Sequence, residues 1–131
     1  MSTTTKLAAG VNAALGAWLI VVPFLFVVES AFGFWNNVLV GAGILAFSGY
    51  NAWLATGDDP GNPYAAAVSA LLGLWLLVVS LFAVPGEPFV LWSNVIVGVL
   101  VAEAGGYNAW KAWSGGSTDA DAQPDVRPDD A

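Results

Sequence analysis

The pentapeptide GYNAW spans residues 49–53 and occurs again at residues 106–110. When the chain is shifted against itself by 57 residues, the flanking positions also match without a gap. The matched positions include tryptophans and asparagines: Trp35 with Trp92, and Asn37 with Asn94. Apolar sequences align by chance at Leu and Val, but not at recurrent Trp and Asn in one register. The match therefore predicts an internal duplication.

The composition is that of a membrane protein. Of 131 residues, 57% are hydrophobic and 10% are charged, and the mean hydropathy is +0.69. Soluble domains have about 25% charged residues. Cysteine and histidine are both absent, which excludes disulfides, thiol catalysis and Cys/His metal sites. We therefore predict a protein without enzymatic activity, cofactor or metal.

Four apolar runs cover residues 7–28, 32–55, 64–84 and 88–113. Each exceeds about 18 residues and shows no charged face at helical spacing, as expected for membrane-spanning helices. The turn-forming sequence GDDPGNP, which contains Asp58 and Asp59, separates the second and third runs. A signal peptide is an alternative for the first run, but this run is too long for one and has a counterpart later in the chain.

These features predict an all-α fold with four transmembrane helices, arranged as two tandem two-helix repeats over about 7–56 and 64–113. A repeat with an even number of helices returns the chain to its starting side. Both copies are therefore expected in parallel orientation, related by a pseudo-twofold axis along the membrane normal. The membrane domain is then 1–113. Residues 114–131 lack apolar periodicity and predict a disordered acidic tail.

Charge restricts the partners and the topology. The net charge is −7 with 3 basic residues, which argues against nucleic-acid binding. Such an acidic composition suits the salt-rich cytoplasm of a halophilic archaeon. Lys6 and Lys111 flank the runs on the side of the termini, whereas Glu29 and Glu87 lie in the opposite turns. We therefore expect a multi-pass protein of the cell membrane with both termini in the cytoplasm.

Aromatic residues mark the two predicted membrane interfaces. Within each repeat, two tryptophans are about 18 residues apart, which is roughly 27 Å of helix. The hydrocarbon core is about 30 Å thick. We predict an interfacial belt of Trp35, Trp53, Trp92, Trp110, Tyr50 and Tyr107. Asn51 and Asn108 are expected at the same level, where headgroups and water would satisfy their amides.

Glu103 is the ionisable residue deepest in a predicted span, about 10 Å inside Trp110. A charged side chain at the centre of a span costs roughly 2.5–3.5 kcal/mol. We therefore expect neutral polar partners at a similar depth, in a layer of Asn12, Ser48, Ser69 and Glu103. The indole N–H groups of Trp18 and Trp75 also need acceptors, and Glu103 is a candidate acceptor for them.

Two interpretations of Glu103 are open. It is either a proton or cation site in a minimal transporter, or a hydrogen-bonded strut between helices. The strut is favoured because its counterpart 57 residues earlier is Ala46, which leaves no symmetric carboxylate.

Small residues recur on the second and fourth runs, and they predict close helix packing. They are Gly41, Ser48 and Ala52 on the second run, and Gly98, Ala102, either Gly105 or Gly106, and Ala109 on the fourth. We expect these faces to pack against a second copy of the chain or a larger membrane complex.

The chain resembles the SPW-repeat membrane proteins. The resemblance rests on LGAWLIVVPFLF with WNNVLVG, and on LGLWLLVVSLFA with WSNVIVG, within about residues 7–113. The Ser-Pro-Trp signature itself is reduced to Pro23 in the first copy and Ser80 in the second. The resemblance implies the repeated helix pair and offers no catalytic residues. The predicted function is a structural or accessory membrane protein, and the alternative is an oligomeric transporter or channel around Glu103.

Overall fold

The computed structural model describes residues 3–26, 28, 30–57, 61–82 and 87–122, with side chains as far as residue 114. This part of the chain forms four helices and no strand, which confirms the predicted all-α fold. The helices are α1 (Thr3–Leu25), α2 (Ala31–Ala55), α3 (Pro63–Phe82) and α4 (Pro88–Ala122). Glu29, Asp58, Asp59 and residues 123–131 lie outside the described residues.

Polar side chains fix where three of the helices begin. Ser30 Oγ accepts the backbone N–H of Gly33 at 2.9 Å and caps α2. Asn62 Oδ1 accepts two backbone N–H groups from the first turn of α3. A Glu87 carboxylate oxygen accepts the backbone N–H of Val90 at the start of α4. These bonds satisfy amides that have no partner within their own helix.

All four helices are long and apolar enough to cross a membrane. In α4 the apolar portion is Pro88–Ser114, although the helix continues to Ala122. The loss of apolar periodicity after Trp113 therefore marks the end of the candidate span rather than the end of the helix. Consecutive helices run antiparallel, so the start of α1 and the end of the α4 span lie at the same end of the bundle.

The core is formed by six buried apolar side chains from all four helices. They are Leu19, Val40, Ile44, Leu76, Val97 and Val101. The last three follow the first three by the same 57 residues that separate Asn37 from Asn94. Corresponding positions of the two helix pairs, α1–α2 and α3–α4, therefore make equivalent contributions to the core.

Glycines bring the two helices of each pair into backbone contact. A Cβ on Gly16 would lie 2.6 Å from the backbone N of Leu45, and one on Gly73 would lie 2.7 Å from the backbone N of Ala102. Side chains essentially never approach backbone atoms this closely. The close packing predicted from small residues is thus present, and it occurs within each helix pair.

Three glycines of the predicted small-residue faces are covered by helices of the same chain. Gly41, Gly98 and Gly105 are buried, and each packs against its partner helix in the same chain. Gly106 differs, because a Cβ there would have no neighbour within 4 Å. The expectation that these faces bind a second copy or a complex is wrong for the three buried glycines, since intrachain packing already covers them.

Candidate functional site

Most of the long-range side-chain hydrogen bonds lie at the junctions between the two helix pairs. We call these the α1/α4 junction and the α2/α3 junction. The bonds form three levels along the bundle. One lies near the end where α2 and α4 begin, one lies in the middle, and one lies at the GYNAW end.

Asn37 and Asn94 join the two pairs through reciprocal amide hydrogen bonds. Asn94 Nδ2 donates to Asn37 Oδ1 at 2.7 Å, and Asn37 Nδ2 donates to Asn94 Oδ1 at 3.2 Å. Both side chains are buried, at 2% and 4% exposure. Because the two residues are 57 positions apart and bond to each other, the pseudo-twofold axis passes between them.

Two indoles make equivalent bonds on either side of this amide pair. The Trp18 Nε1–H donates to Ser93 Oγ at 2.8 Å across the α1/α4 junction. The Trp75 Nε1–H donates to Asn36 Oδ1 at 2.9 Å across the α2/α3 junction. Glu103 is therefore not the acceptor that the sequence suggested. Ser93 and Glu103 are separated by roughly 15 Å along α4, so an indole that bonds to Ser93 cannot reach Glu103.

The asparagines of the two GYNAW segments join the two helix pairs at the opposite end of the bundle. Asn51 Nδ2 donates to the backbone O of Asn62 at 3.1 Å, and its Oδ1 accepts the Asn62 N–H at 2.8 Å. Asn108 Nδ2 donates to the backbone O of Thr5 at 3.2 Å. The prediction that headgroups and water satisfy these amides is wrong, because both side chains are buried and bond to the neighbouring helix pair.

Three of the four residues in the predicted polar layer are buried. Ser48 and Ser69 form a hydroxyl–hydroxyl bond of 3.0 Å across the α2/α3 junction. Asn12 is 1% exposed, and its Nδ2 donates to the backbone O of Val101 at 3.4 Å.

Glu103 lies apart from these three residues, exposed on the outer surface of α4. Val101 points into the core, and two residues further along a helix the side chains face the opposite side. The structure therefore places Glu103 at the expected position along the helix but on the outer face.

All six aromatic residues of the predicted interfacial belt point outward. Their exposures range from 37% for Tyr107 to 67% for Trp53. The others are Trp35, Trp92, Trp110 and Tyr50. Lys111 lies with its Nζ 5.8 Å from the centre of the Trp110 ring, so charge and aromatic ring are close at the end of the α4 span. This orientation is the one that contact with membrane interfaces requires.

A groove of about 420 Å³ opens on the outer side of the α1/α4 junction. We call it the α1/α4 groove. Its lining is mostly apolar and aromatic: Leu15, Trp18, Phe89, Trp92, Ser93, Ile96, Val97 and Leu100. At the α2/α3 junction the residue equivalent to Leu100 is Gly43, and a Cβ there would lie 2.8 Å from Leu72 Cδ1. At the α2/α3 junction, Leu72 thus packs against Gly43. At the equivalent positions of the α1/α4 groove, the chain has two leucines, Leu15 and Leu100.

The buried polar side chains are neutral. They are amides and hydroxyls, with no ionisable group among those described. The described residues also bring together no group of three or more His, Cys, Asp or Glu side chains that could hold a metal ion.

Sequence reasoning missed the roles of Asn36, Asn37, Ser93 and Asn94. The recurrence of Asn37 and Asn94 was visible in the sequence. That the two amides bond to each other could not be predicted without knowing that α2 and α4 meet at this level.

The fold defines a small multi-pass integral membrane protein of four helices. The chain belongs to the SPW repeat domain family, whose model matches residues 5–113. Neither the curated proteins nor the solved structures contain a significant match to the chain.

Proposed function

We propose that the protein is a non-enzymatic membrane protein with a structural or accessory role. The observation that carries this proposal is the set of hydrogen bonds in the interior of the bundle, where buried amides and hydroxyls of one helix pair bond to the other pair, as at Asn37 with Asn94 and Ser48 with Ser69. A polar network of this kind rigidifies a core and specifies one arrangement of its elements. The described interior contains no ionisable side chain that would carry ions or protons.

Association with a second copy or a larger membrane complex is part of this proposal. The exposed aromatic and aliphatic side chains of the outer surface, rather than the buried glycines, would provide the contacts. In detergent, a measured mass of one chain together with a co-purifying complex would support the accessory role. A stable homo-oligomer enclosing a central path would oppose it.

A flux assay tests the proposal directly. The full-length chain is reconstituted into liposomes, and proton, sodium and potassium fluxes are compared with those of protein-free liposomes. We expect equal rates. A flux above background that the Glu103→Gln variant removes, while its helical content is unchanged, would contradict the structural role.

The alternative function is an oligomeric transporter or channel with Glu103 as its proton or cation site. Its supporting observation is that Glu103 lies exposed on the part of α4 long and apolar enough to cross a membrane. In an oligomer this outer face would line the contacts between copies. The flux assay separates the two functions.

We further propose that the protein resides in the cell membrane with both termini in the cytoplasm. Lys6 and Lys111, at the end of the bundle where α1 begins and the α4 span ends, support this orientation. Because the chain has no cysteine, single cysteines at Thr3 or Ala31 report on the two ends separately. A membrane-impermeant maleimide applied to intact cells should label Ala31→Cys and not Thr3→Cys. The reverse pattern would contradict the orientation.

Two sequence features bear on the origin of the chain. The 57-residue correspondence of hydrogen-bonding and core positions supports an internal duplication of one helix pair. The net charge of −7 supports a source with a salt-rich cytoplasm, such as a halophilic archaeon.

A further inference from the structure

The lining of the α1/α4 groove differs from the equivalent positions of the α2/α3 junction at Ser93, Ile96 and Leu100, where the chain has Asn36, Leu39 and Gly43 57 residues earlier. Two differences on this outer face change size or charge most: Leu100 replaces Gly43, and, next to the groove, Glu103 replaces Ala46. The first difference prevents Leu15 from packing as closely as Leu72 does on Gly43. The second places a carboxylate where the other junction has a methyl group. The pseudo-symmetry is thus broken on one outer face of the bundle.

Glu103 lies on the same face of α4 as the groove lining. Ile96, Leu100 and Glu103 are separated by four and three residues, so they form one stripe along the helix. All three are exposed. Glu103 is not part of the groove lining, but it continues this stripe toward the GYNAW end, roughly 4–5 Å beyond Leu100 along the helix axis.

Among the described residues, no basic side chain forms an ion pair with the Glu103 carboxylate. The described basic residues are Lys6 and Lys111, and Lys111 lies roughly 12 Å further along α4. An exposed carboxylate at membrane depth is costly, and a cation from outside the chain would offset this cost.

The groove itself fits an apolar body with positive charge. Its volume of about 420 Å³ is in the range of small-molecule sites. Three aromatic rings line it, from Trp18, Phe89 and Trp92. Aromatic faces attract organic cations in addition to providing apolar contact. The polar group at its floor, Ser93 Oγ, already accepts the Trp18 N–H.

We propose that the α1/α4 groove binds a lipophilic organic cation that enters from the bilayer. Its positive charge lies beside the Glu103 carboxylate, and its apolar body lies between α1 and α4. This is a binding site in addition to the proposed structural role, and it does not require transport.

The test uses tetraphenylphosphonium and tetraphenylborate, which are similar in size and shape and opposite in charge. The full-length chain in lipid nanodiscs is titrated with each ion, and binding is followed by tryptophan fluorescence and equilibrium dialysis, with empty nanodiscs subtracted. We expect saturable binding of the phosphonium ion only. The Glu103→Gln variant should weaken it by at least about tenfold, equivalent to about 1.4 kcal/mol.

Two tryptophan substitutions provide a matched pair that does not depend on Glu103. Ile96→Trp fills the groove and should abolish binding. Leu39→Trp, at the equivalent exposed position 57 residues earlier, should leave it unchanged. Circular dichroism confirms that each variant is folded, and if Glu103→Gln fails to fold, this pair decides the result.

Several results would overturn the proposal. They are the absence of saturable phosphonium binding, equal binding of both ions, or equal effects of the two tryptophan substitutions. A Glu103→Gln variant that keeps its phosphonium affinity but loses a dimer, measured by native mass spectrometry, would show instead that Glu103 contacts a second copy.

Discussion

The contacts within the helix pairs and the contacts between them use different chemistry. Inside α1–α2 and α3–α4, glycines allow backbone to approach backbone, as at Gly16 with Gly41 and at Gly73 with Gly98. Between the pairs, amides, hydroxyls and indoles form hydrogen bonds at each level of the bundle. Steric fit therefore holds each pair together, and polar bonds determine how one pair lies against the other.

This difference between the two kinds of contact follows from the lipid that surrounds the helices. Lipid tails are as apolar as Leu or Val, so burying these residues gives helices little reason to associate. Close packing and interhelical hydrogen bonds supply the specificity instead. Substitutions of the two kinds should consequently differ in size and in what they disrupt.

The largest effect is expected inside a helix pair. In Gly73→Leu, the new side chain would collide with the backbone of Ala102 and Gly98, which cannot move without separating α3 from α4. We expect a loss of about 3 kcal/mol in the free energy of unfolding, measured by denaturant titration in detergent.

Gly106→Leu is the control for that measurement, because a Cβ at Gly106 would have no neighbour within 4 Å. It should leave stability unchanged or slightly raise it, since leucine favours a helix more than glycine does. Equal losses in the two variants would show that helix propensity, not close packing, determines stability.

The next effect is expected at the buried amide pair that joins the two helix pairs. Asn37→Leu leaves the Asn94 amide buried without its partner, and should cost about 2 kcal/mol of unfolding free energy. The double variant Asn37→Leu with Asn94→Leu removes both amides and should recover most of that loss. Additive losses in this double-mutant cycle would show that the two amides act independently.

A smaller effect distinguishes the two GYNAW asparagines. Asn51 both donates to and accepts from Asn62, whereas Asn108 makes a single described bond to Thr5. We expect Asn51→Ala to cost about 1–2 kcal/mol, and Asn108→Ala about 1 kcal/mol. Hydrogen exchange should show increased opening of the first turn of α3 in the former and of α1 in the latter. An Asn108→Ala loss larger than that of Asn51→Ala would contradict the comparison.

The smallest effect is expected at the serine pair. Ser48→Ala removes a hydroxyl–hydroxyl bond of 3.0 Å, and polar bonds between membrane helices average about 0.6 kcal/mol. Thermal unfolding in detergent should therefore shift by only a few degrees. A loss as large as that of Asn37→Leu would indicate that the serines support further bonds beyond the one between them.

The sequence alone was sufficient for the four helices and their order, although α4 continues to Ala122, past the predicted run that ended at residue 113. The second apolar run predicted residues 32–55, and α2 is Ala31–Ala55. The length of an apolar run and the Pro, Gly and Ser residues that interrupt it are local properties, so they can be read without knowing the neighbours. The 57-residue match also identified Asn37 and Asn94 as equivalent positions, and the spacing to Trp110 predicted the depth of Glu103.

Only the tertiary structure decided which face of each helix is inside. In the structure, Asn51 and Asn108 lie in the interior and Glu103 lies on the outer surface. The Trp18 indole donates its hydrogen bond to Ser93. The physical reason is that lipid makes the outer surface of a helix as apolar as its buried side. Hydrophobic periodicity, which distinguishes the two faces of a helix in water, carries little such information here.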